Sequence, residues 1–213
     1  MANALDSNLL SSVASYYSAK LAEHGTQPRG VDWNSEASQN LRFAQLAKVL
    51  PSDGSPYSVN DLGCGYGAFF DFLSQESRNF RYAGFDISSE MIEACRARHG
   101  DAVNARYVTT SEPDEPADFG IASGIFNVRL DHDPDEWQRY IEDTLEILDR
   151  TSTRGFAFNC LTSYSDADRM RPDLHYANPL ALFDLCKGRY SRNVALLHDY
   201  DLYEFTILVR KSA

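Results

Sequence analysis

Residues 59–73 read VNDLGCGYGAFFDFL and place glycine at 63, 65 and 67 between two apolar runs. Glycine weakens the interior of a strand and of a helix alike, so three within five positions mark a turn whose backbone passes close to something bulky. The residues before it, 57–62, read as a strand, and residues 68–76 after it read as a helix.

That strand–turn–helix opens an alternating series. Further strands are expected at 80–87, 105–110, 117–126 and 154–161, with helices at 88–99, from Asp133 through at least Leu148, and at 178–187. Gly100 suits the position just past the second of these helices. The run ADFGIASGIF at 117–126 is too apolar for a half-exposed strand and belongs in mid-sheet. Asp133-Pro134-Asp135-Glu136 carries an Asp cap, Pro at the first helical position and Glu at the third, and Trp137, Ile141, Leu145 and Leu148 follow as a buried face. Two strands close the chain at 193–200 and 203–211, with a gap that allows an antiparallel hairpin but no parallel crossover. The first five strands, joined through helices, are expected to be parallel and covered on both faces. Ahead of them, residues 8–24 and a helix from Asn34 or Ser35 to Leu50 form a helical arm, which Pro51 ends. The expectation is one domain over 1–213, with a helical cover at 1–50 and an α/β core at 55–213.

Composition narrows the class. With 43% apolar residues among 213, the chain can bury one large core. No apolar run approaches the ~20 residues of a membrane helix. The first residues lack a basic stretch and a long apolar stretch, so no signal peptide is read and a cytoplasmic location is expected. A formal charge of −11 opposes general binding to a phosphate backbone. Four separated cysteines with no C-x-x-C pair read as reduced buried thiols. Asp131-His132-Asp133 lacks a second ligand cluster, so no metal is expected.

In a doubly wound sheet ligands lie at the carboxyl ends of the strands. Gly63, Gly65 and Gly67 fall there, and so does Asp86, 23 residues after Gly63, where a carboxylate can accept hydrogen bonds from both hydroxyls of an adenosine ribose. Two cofactors suit this arrangement. GCGYGA satisfies the G-x-G-x-x-A pattern of NAD sites. S-adenosylmethionine also fits, and Asp61 favours it, because a carboxylate there meets the cationic amino-acid end of a methionine but repels a pyrophosphate.

At these residues the sequence resembles class I S-adenosylmethionine-dependent methyltransferases, over roughly residues 35–213. VNDLGCGYGAFFDFL carries the acid-x-Gly-x-Gly-x-Gly motif on Asp61, Gly63, Gly65 and Gly67, and YAGFDISSEMIEACRAR at 82–98 carries the ribose acid on Asp86. The resemblance implies a Rossmann-like α/β fold, a seven-stranded doubly wound sheet of order 3-2-1-4-5-7-6 with strand 7 antiparallel, plus the N-terminal helical arm. It implies S-adenosyl-L-methionine as cofactor. Ile87 and Met91 would flank the adenine, and Cys64 and Gly124 would lie along the cofactor. Ser111-Glu112 stands where the family often has an Asp near the adenine amino group. Arg42 on the arm is placed to meet the cofactor carboxylate.

On the acceptor side, His132 is the candidate general base. Tyr17 and Trp33 of the arm offer aromatic faces to a sulfonium. The long segment 162–178 follows the fifth strand without apolar periodicity, as binding loops do, and offers Tyr164, Arg169 and His175. Its arginines, Arg169 and Arg171, hint at an anionic acceptor, and the histidines favour oxygen over nitrogen. FNVRLD follows the fourth strand where an Asn-Pro-Pro-Tyr-like stretch would point to DNA bases or protein glutamine. The function expected is methyl transfer to an oxygen or nitrogen of a small molecule. An NAD-dependent oxidoreductase and a non-catalytic binding protein of the same fold are the alternatives, and a homodimer is left open.

Overall fold

The structure is a computed structural model and describes residues 6–76 and 79–212. Parallel pairing runs through β1 (Tyr57–Leu62), β2 (Phe80–Asp86), β3 (Ala105–Thr109), β4 (Ala117–Ala122) and β5 (Ser152–Leu161). The closing strands β6 (Asn193–Leu197) and β7 (Glu204–Arg210) pair antiparallel, and β7 inserts beside β5. The sheet order is β3-β2-β1-β4-β5-β7-β6, as the resemblance implies. β4 lies between β1 and β5, which explains its unbroken apolar run.

Strand alternation divides the core between two helical layers. On one face Val59, Tyr82, Ile121 and Leu208 pack beneath α2 (Glu36–Leu46), α3 (Ala68–Gln75) and α4 (Ser89–His99). On the other, Phe85, Phe158, Ile207 and Val209 pack beneath α5 (Pro134–Arg150) and α6 (Pro179–Arg189), joined by Leu9 and Val13 of α1 (Ser7–His24). The successive residues Ile207, Leu208 and Val209 serve opposite faces, as the two-residue period of a strand requires.

Helix starts follow their caps. The Asp133 carboxylate accepts the backbone N–H groups of Asp135 and Glu136 at the start of α5, and Asn178 does the same for Leu180 and Ala181 of α6. Trp137, Ile141, Leu145 and Leu148 are fully buried along α5. Gly100 differs from expectation: it sits in the right-handed helical region, not the left-handed one of a glycine stop.

The N-terminal arm is fastened to the far end of the sheet by a buried ion pair. Arg42 of α2 donates Nε and Nη2 to the Glu204 carboxylate of β7 at 2.8 and 2.7 Å. The two side chains are only 9% and 1% exposed. Removing one partner of such a pair strands the other charge, which costs about 3–5 kcal/mol, whereas an exposed pair is worth under about 1 kcal/mol. Arg42→Met is therefore expected to lower the unfolding free energy by about 3–5 kcal/mol. Arg106→Met, which removes the solvent-facing pair with Asp114, is expected to cost under about 1 kcal/mol. Urea unfolding of both variants beside the parent checks the contrast; equal losses would contradict it.

Candidate functional site

The glycine turn joins β1 to α3, and Gly63, Gly65 and Gly67 all have positive φ, at 73°, 55° and 87°. Side-chain-bearing residues rarely adopt this region. A Cβ at Gly63 would stand 2.2 Å from Ile125 Cγ2, so the turn is pressed against the segment that follows β4. Beside it opens a cleft of about 700 Å³, its open mouth included, at the carboxyl ends of β1, β2, β3 and β4.

Asp86 ends β2 at the floor of this cleft. Its Oδ2 accepts the Gly65 N–H at 2.9 Å and its Oδ1 accepts the Ser88 N–H at 2.9 Å. Each carboxylate oxygen keeps a lone pair for a further donor. Burial pushes its pKa up to about 6, although the N–H groups of Ser88, Gly65 and Ile87 favour the charged form. Ile87, Met91, Thr110 and Ser111 continue the wall past the tips of β2 and β3.

A smaller recess of about 320 Å³ shares Val31, Gly63, Gly65 and Ser123 with the main cleft and reaches Asp61. Asp61 is 1% exposed. Tyr82 donates its hydroxyl to Oδ2 at 2.5 Å, while Oδ1 is buried with no partner. The Ser123 hydroxyl is also buried and unpartnered. Burial raises the Asp61 pKa to about 7, the Tyr82 hydrogen bond opposing and the Asp86 charge adding to the rise. An unsatisfied buried carboxylate oxygen is costly, and an ammonium group would satisfy it. The bare backbone of the turn, the open carboxylate lone pairs on Asp86 and the unpartnered Asp61 oxygen together fit a methionine-linked adenosine.

The arm roofs the cleft. Leu10, Val13 and Tyr17 of α1 face into it. Val31 stands over Gly65 and the Trp33 indole over Gly124, where an added Cβ would lie 2.9 and 2.4 Å away respectively. Trp33 is sandwiched, because the Arg42 guanidinium lies 4.0 Å from its ring centroid. Asn159 completes the support: its Oδ1 accepts the Gly124 N–H at 2.9 Å and its Nδ2 donates to Glu204 at 2.6 Å. α1 is tied at both ends of its inner face, by Ser12 to His132 at 2.6 Å and by Ser18 to the Ser88 hydroxyl at 2.9 Å.

Of the residues singled out from the sequence, Gly63, Gly65, Asp86, Ile87, Met91, Ser111, Gly124, Tyr17 and Trp33 line the main cleft, and Asp61 and Cys64 line the recess. The others lie elsewhere. Arg42 is held by Glu204 and presents no charge to a cofactor carboxylate. Gly67 caps α3 and packs on His99 and Cys95. Glu112 points to Arg150. His132 has Nε2 on Ser12 and Nδ1 3.5 Å from Glu136, so it fastens α1 and does not face the cleft. The segment 162–178 is stitched to the loop after β4 by the Val128–Leu174 bridge, and Tyr164, Arg169 and His175 line neither cavity. Tyr164 is 63% exposed. His175 is held neutral by burial and by Arg129, its pKa lowered to about 4.

Sequence reasoning missed Leu10, Val13, Ile125, Thr110, Tyr140 and Thr144, all on the cleft wall. Tyr140 and Thr144 had a readable signal: they are one helical turn apart, beside the buried stripe of α5.

Known proteins agree with this geometry. A family model described as "Methyltransferase domain" matches residues 59–150, from within β1 to the end of α5. "Putative methyltransferase Rv1506c" of Mycobacterium tuberculosis is 57% identical over 158 residues, which cover 74% of this chain and 95% of that protein. "Fatty-acid O-methyltransferase" of Mycolicibacterium smegmatis is 24% identical over 123 residues, covering 57% and 44% of the two chains. Magnesium protoporphyrin IX methyltransferase of Synechocystis PCC 6803, solved with bound S-adenosylhomocysteine, superposes with a TM-score of 0.68 at 12% identity, over 95% and 99% of the chains. The chain belongs to the class I S-adenosylmethionine-dependent methyltransferases.

Proposed function

We propose that this enzyme transfers the methyl group of S-adenosylmethionine to an oxygen or nitrogen of a small molecule, with residues 1–213 acting as one catalytic unit. The observation that carries the reading is the roof: Val31 lies directly on Gly65 of the cofactor turn and Trp33 on Gly124 after β4, so an acceptor must fit between arm and sheet. A cleft roofed in this way favours a small acceptor over a folded protein or a duplex. The mycolicibacterial relative is named for fatty acids and the Synechocystis enzyme for a porphyrin, both small molecules.

The sulfonium supplies an already activated methyl group, so the protein's task is alignment. Asp86 would hold the ribose hydroxyls, Ile87 and Met91 the adenine, and Ser111 with Thr110 the polar edge of the base. Asp61 would pair with the methionine ammonium and Ser123 would reach the same end. Gln39, also on the recess wall and hydrogen-bonded to the Tyr66 hydroxyl, supplies a neutral amide there in place of Arg42.

Transfer of labelled methyl from S-adenosylmethionine into a metabolite extract tests the reaction; tight cofactor binding with no labelled product would instead support the non-catalytic reading. Asp86→Ala is expected to weaken S-adenosylhomocysteine binding about tenfold to a hundredfold, the worth of hydrogen bonds to a charged acceptor. Unchanged calorimetric affinity would remove the ribose assignment. A pH dependence follows from Asp61. Its carboxyl is largely protonated below pH 7 in the free protein, and an ammonium partner favours the ionised form, so binding releases a proton. Affinity for S-adenosylhomocysteine is expected to rise between about pH 5.5 and 8. Asp61→Asn is expected to flatten that rise; calorimetry across the range, in buffers of different ionisation enthalpy, reads both.

A further inference from the structure

The main cleft carries a chemical restriction that its cofactor residues do not explain. Asp86, Thr110 and Ser111 occupy the tips of β2 and β3 at one end of the cleft. The rest of the wall is Leu10, Val13, Val31, Ile125 and the rings of Tyr17, Trp33 and Tyr140, with the Ser123 and Thr144 hydroxyls, of which Thr144 donates to the Tyr140 carbonyl at 2.7 Å. Among the described residues lining the cleft there is no histidine, lysine, arginine or cysteine. Asp86 is the sole carboxylate there, and it is fixed by the Gly65 and Ser88 N–H groups. The phenols of Tyr17 and Tyr140 are pushed upward by burial, so they remain protonated and act as donors. His132 is taken by Ser12 and Glu136 outside the cleft, and Arg42 is neutralised by Glu204.

With Asp86 committed to the ribose hydroxyls and Asp61 to the cofactor ammonium, the wall offers an acceptor no free base and an anion no side-chain cation. Alcohols and protonated amines both need a base before they can attack. A carboxylate does not. We propose that the acceptor is an apolar monocarboxylic acid, methylated on its carboxylate oxygen, with its hydrocarbon or aryl body against Leu10, Val13, Tyr17 and Ile125. The inference rests on the methyl-transfer reading above. One carboxylate oxygen forms the new bond to the methyl carbon, the carbon–sulfur bond breaks with its electron pair going to sulfur, and the products are a neutral methyl ester and S-adenosylhomocysteine. No proton moves, so no base is called for. The one cation available to the acid is the sulfonium, which draws the carboxylate to the point of attack in a poorly solvated cleft where such attraction is strong. Arg169 and Arg171, which suggested an anionic acceptor from sequence, take no part: Arg171 is held by Asp173, and neither lines the cleft.

Matched panels of straight-chain and arylalkyl acids, with the alcohol and the amine of each, test the proposal in two ways. With S-adenosylmethionine, ester formation from the acid is expected to exceed ether or N-methyl formation from its partners by at least about a hundredfold, the usual worth of the missing base. At saturating S-adenosylmethionine, which removes the pH dependence of cofactor binding through Asp61, the rate is expected to stay level from about pH 6 to 9, above the acid's own ionisation. In binding, the acid is expected to associate at least about tenfold more tightly with the complex of sinefungin, which carries an ammonium in place of the sulfonium, than with the S-adenosylhomocysteine complex, which carries no charge there. The alcohol is expected to show no such difference. Comparable turnover of alcohol or amine, a rate climbing through the histidine range, or acid binding indifferent to the cofactor's charge would each overturn the proposal. So would absence of any ester while S-adenosylhomocysteine binds normally; failure of S-adenosylhomocysteine to bind would overturn the underlying methyl-transfer reading instead.

Discussion

The Asp86 carboxylate joins the two turns on which the site is built. One oxygen receives the Gly65 N–H from the turn after β1, and the other receives the Ser88 N–H at the start of α4. Without it, the glycine turn would have a buried N–H pointing at nothing and α4 would lose the anchor of its first residue. The same group sits on the floor of the cleft, 9% exposed. Its structural bonds are to backbone, which no side-chain rotamer can shift, so its remaining lone pairs are aimed before any ligand arrives. Preorganisation of this kind lowers the ordering cost of binding.

A second constraint governs the arm. A helix laid across the mouth of a cleft gains little from its own propensity, so the structure secures it by contact with rigid parts. Arg42 and Glu204 carry the load from α2 to β7, and Asn159 passes it from Glu204 to Gly124. Trp33 is thereby trapped between a guanidinium and a glycine. A buried ion pair is weak evidence for net stability. Here it has a geometric consequence, because it connects the roof, the strand end and the loop beneath the roof.

Much of this was legible in the sequence because the signals were local. Strand and helix periods, the Asp133-Pro134 and Asn178-Pro179 starts, the glycine run and the short gap before β7 are all read within a dozen residues of themselves. Asp61 and Asp86 were legible because strand ends are set by the same local pattern. What failed was pairing across the chain. Arg42 and Glu204 are 162 positions apart, Ser12 and His132 are 120 apart, and Glu112 and Arg150 are 38 apart. A charged or titratable side chain seen alone looks available; its partner is brought by the tertiary fold. The loop at 162–178 misled for a related reason. It follows the carboxyl end of β5, but its Leu174 bridges to Val128, and Tyr164, Arg169 and His175 line neither cavity.

The residues that lie outside the cleft bear on the chemistry as much as those that line it. With His132 fastening α1 and His175 half-buried outside both cavities, no histidine lines the cleft. Once Arg42 belongs to Glu204, electrostatic capture of an anion has no side chain to act through. A wall stripped of both functions is still fully competent for one kind of displacement, in which a nucleophile already ionised in solution meets a cationic methyl donor and the two charges cancel as the bond forms. Charge neutralisation in a cleft of low polarity is favourable as the reaction proceeds, and the neutral products no longer hold each other. The apolar roof and the missing base are thus two sides of one design: exclude water, supply alignment, and leave the electrostatics to the reactants.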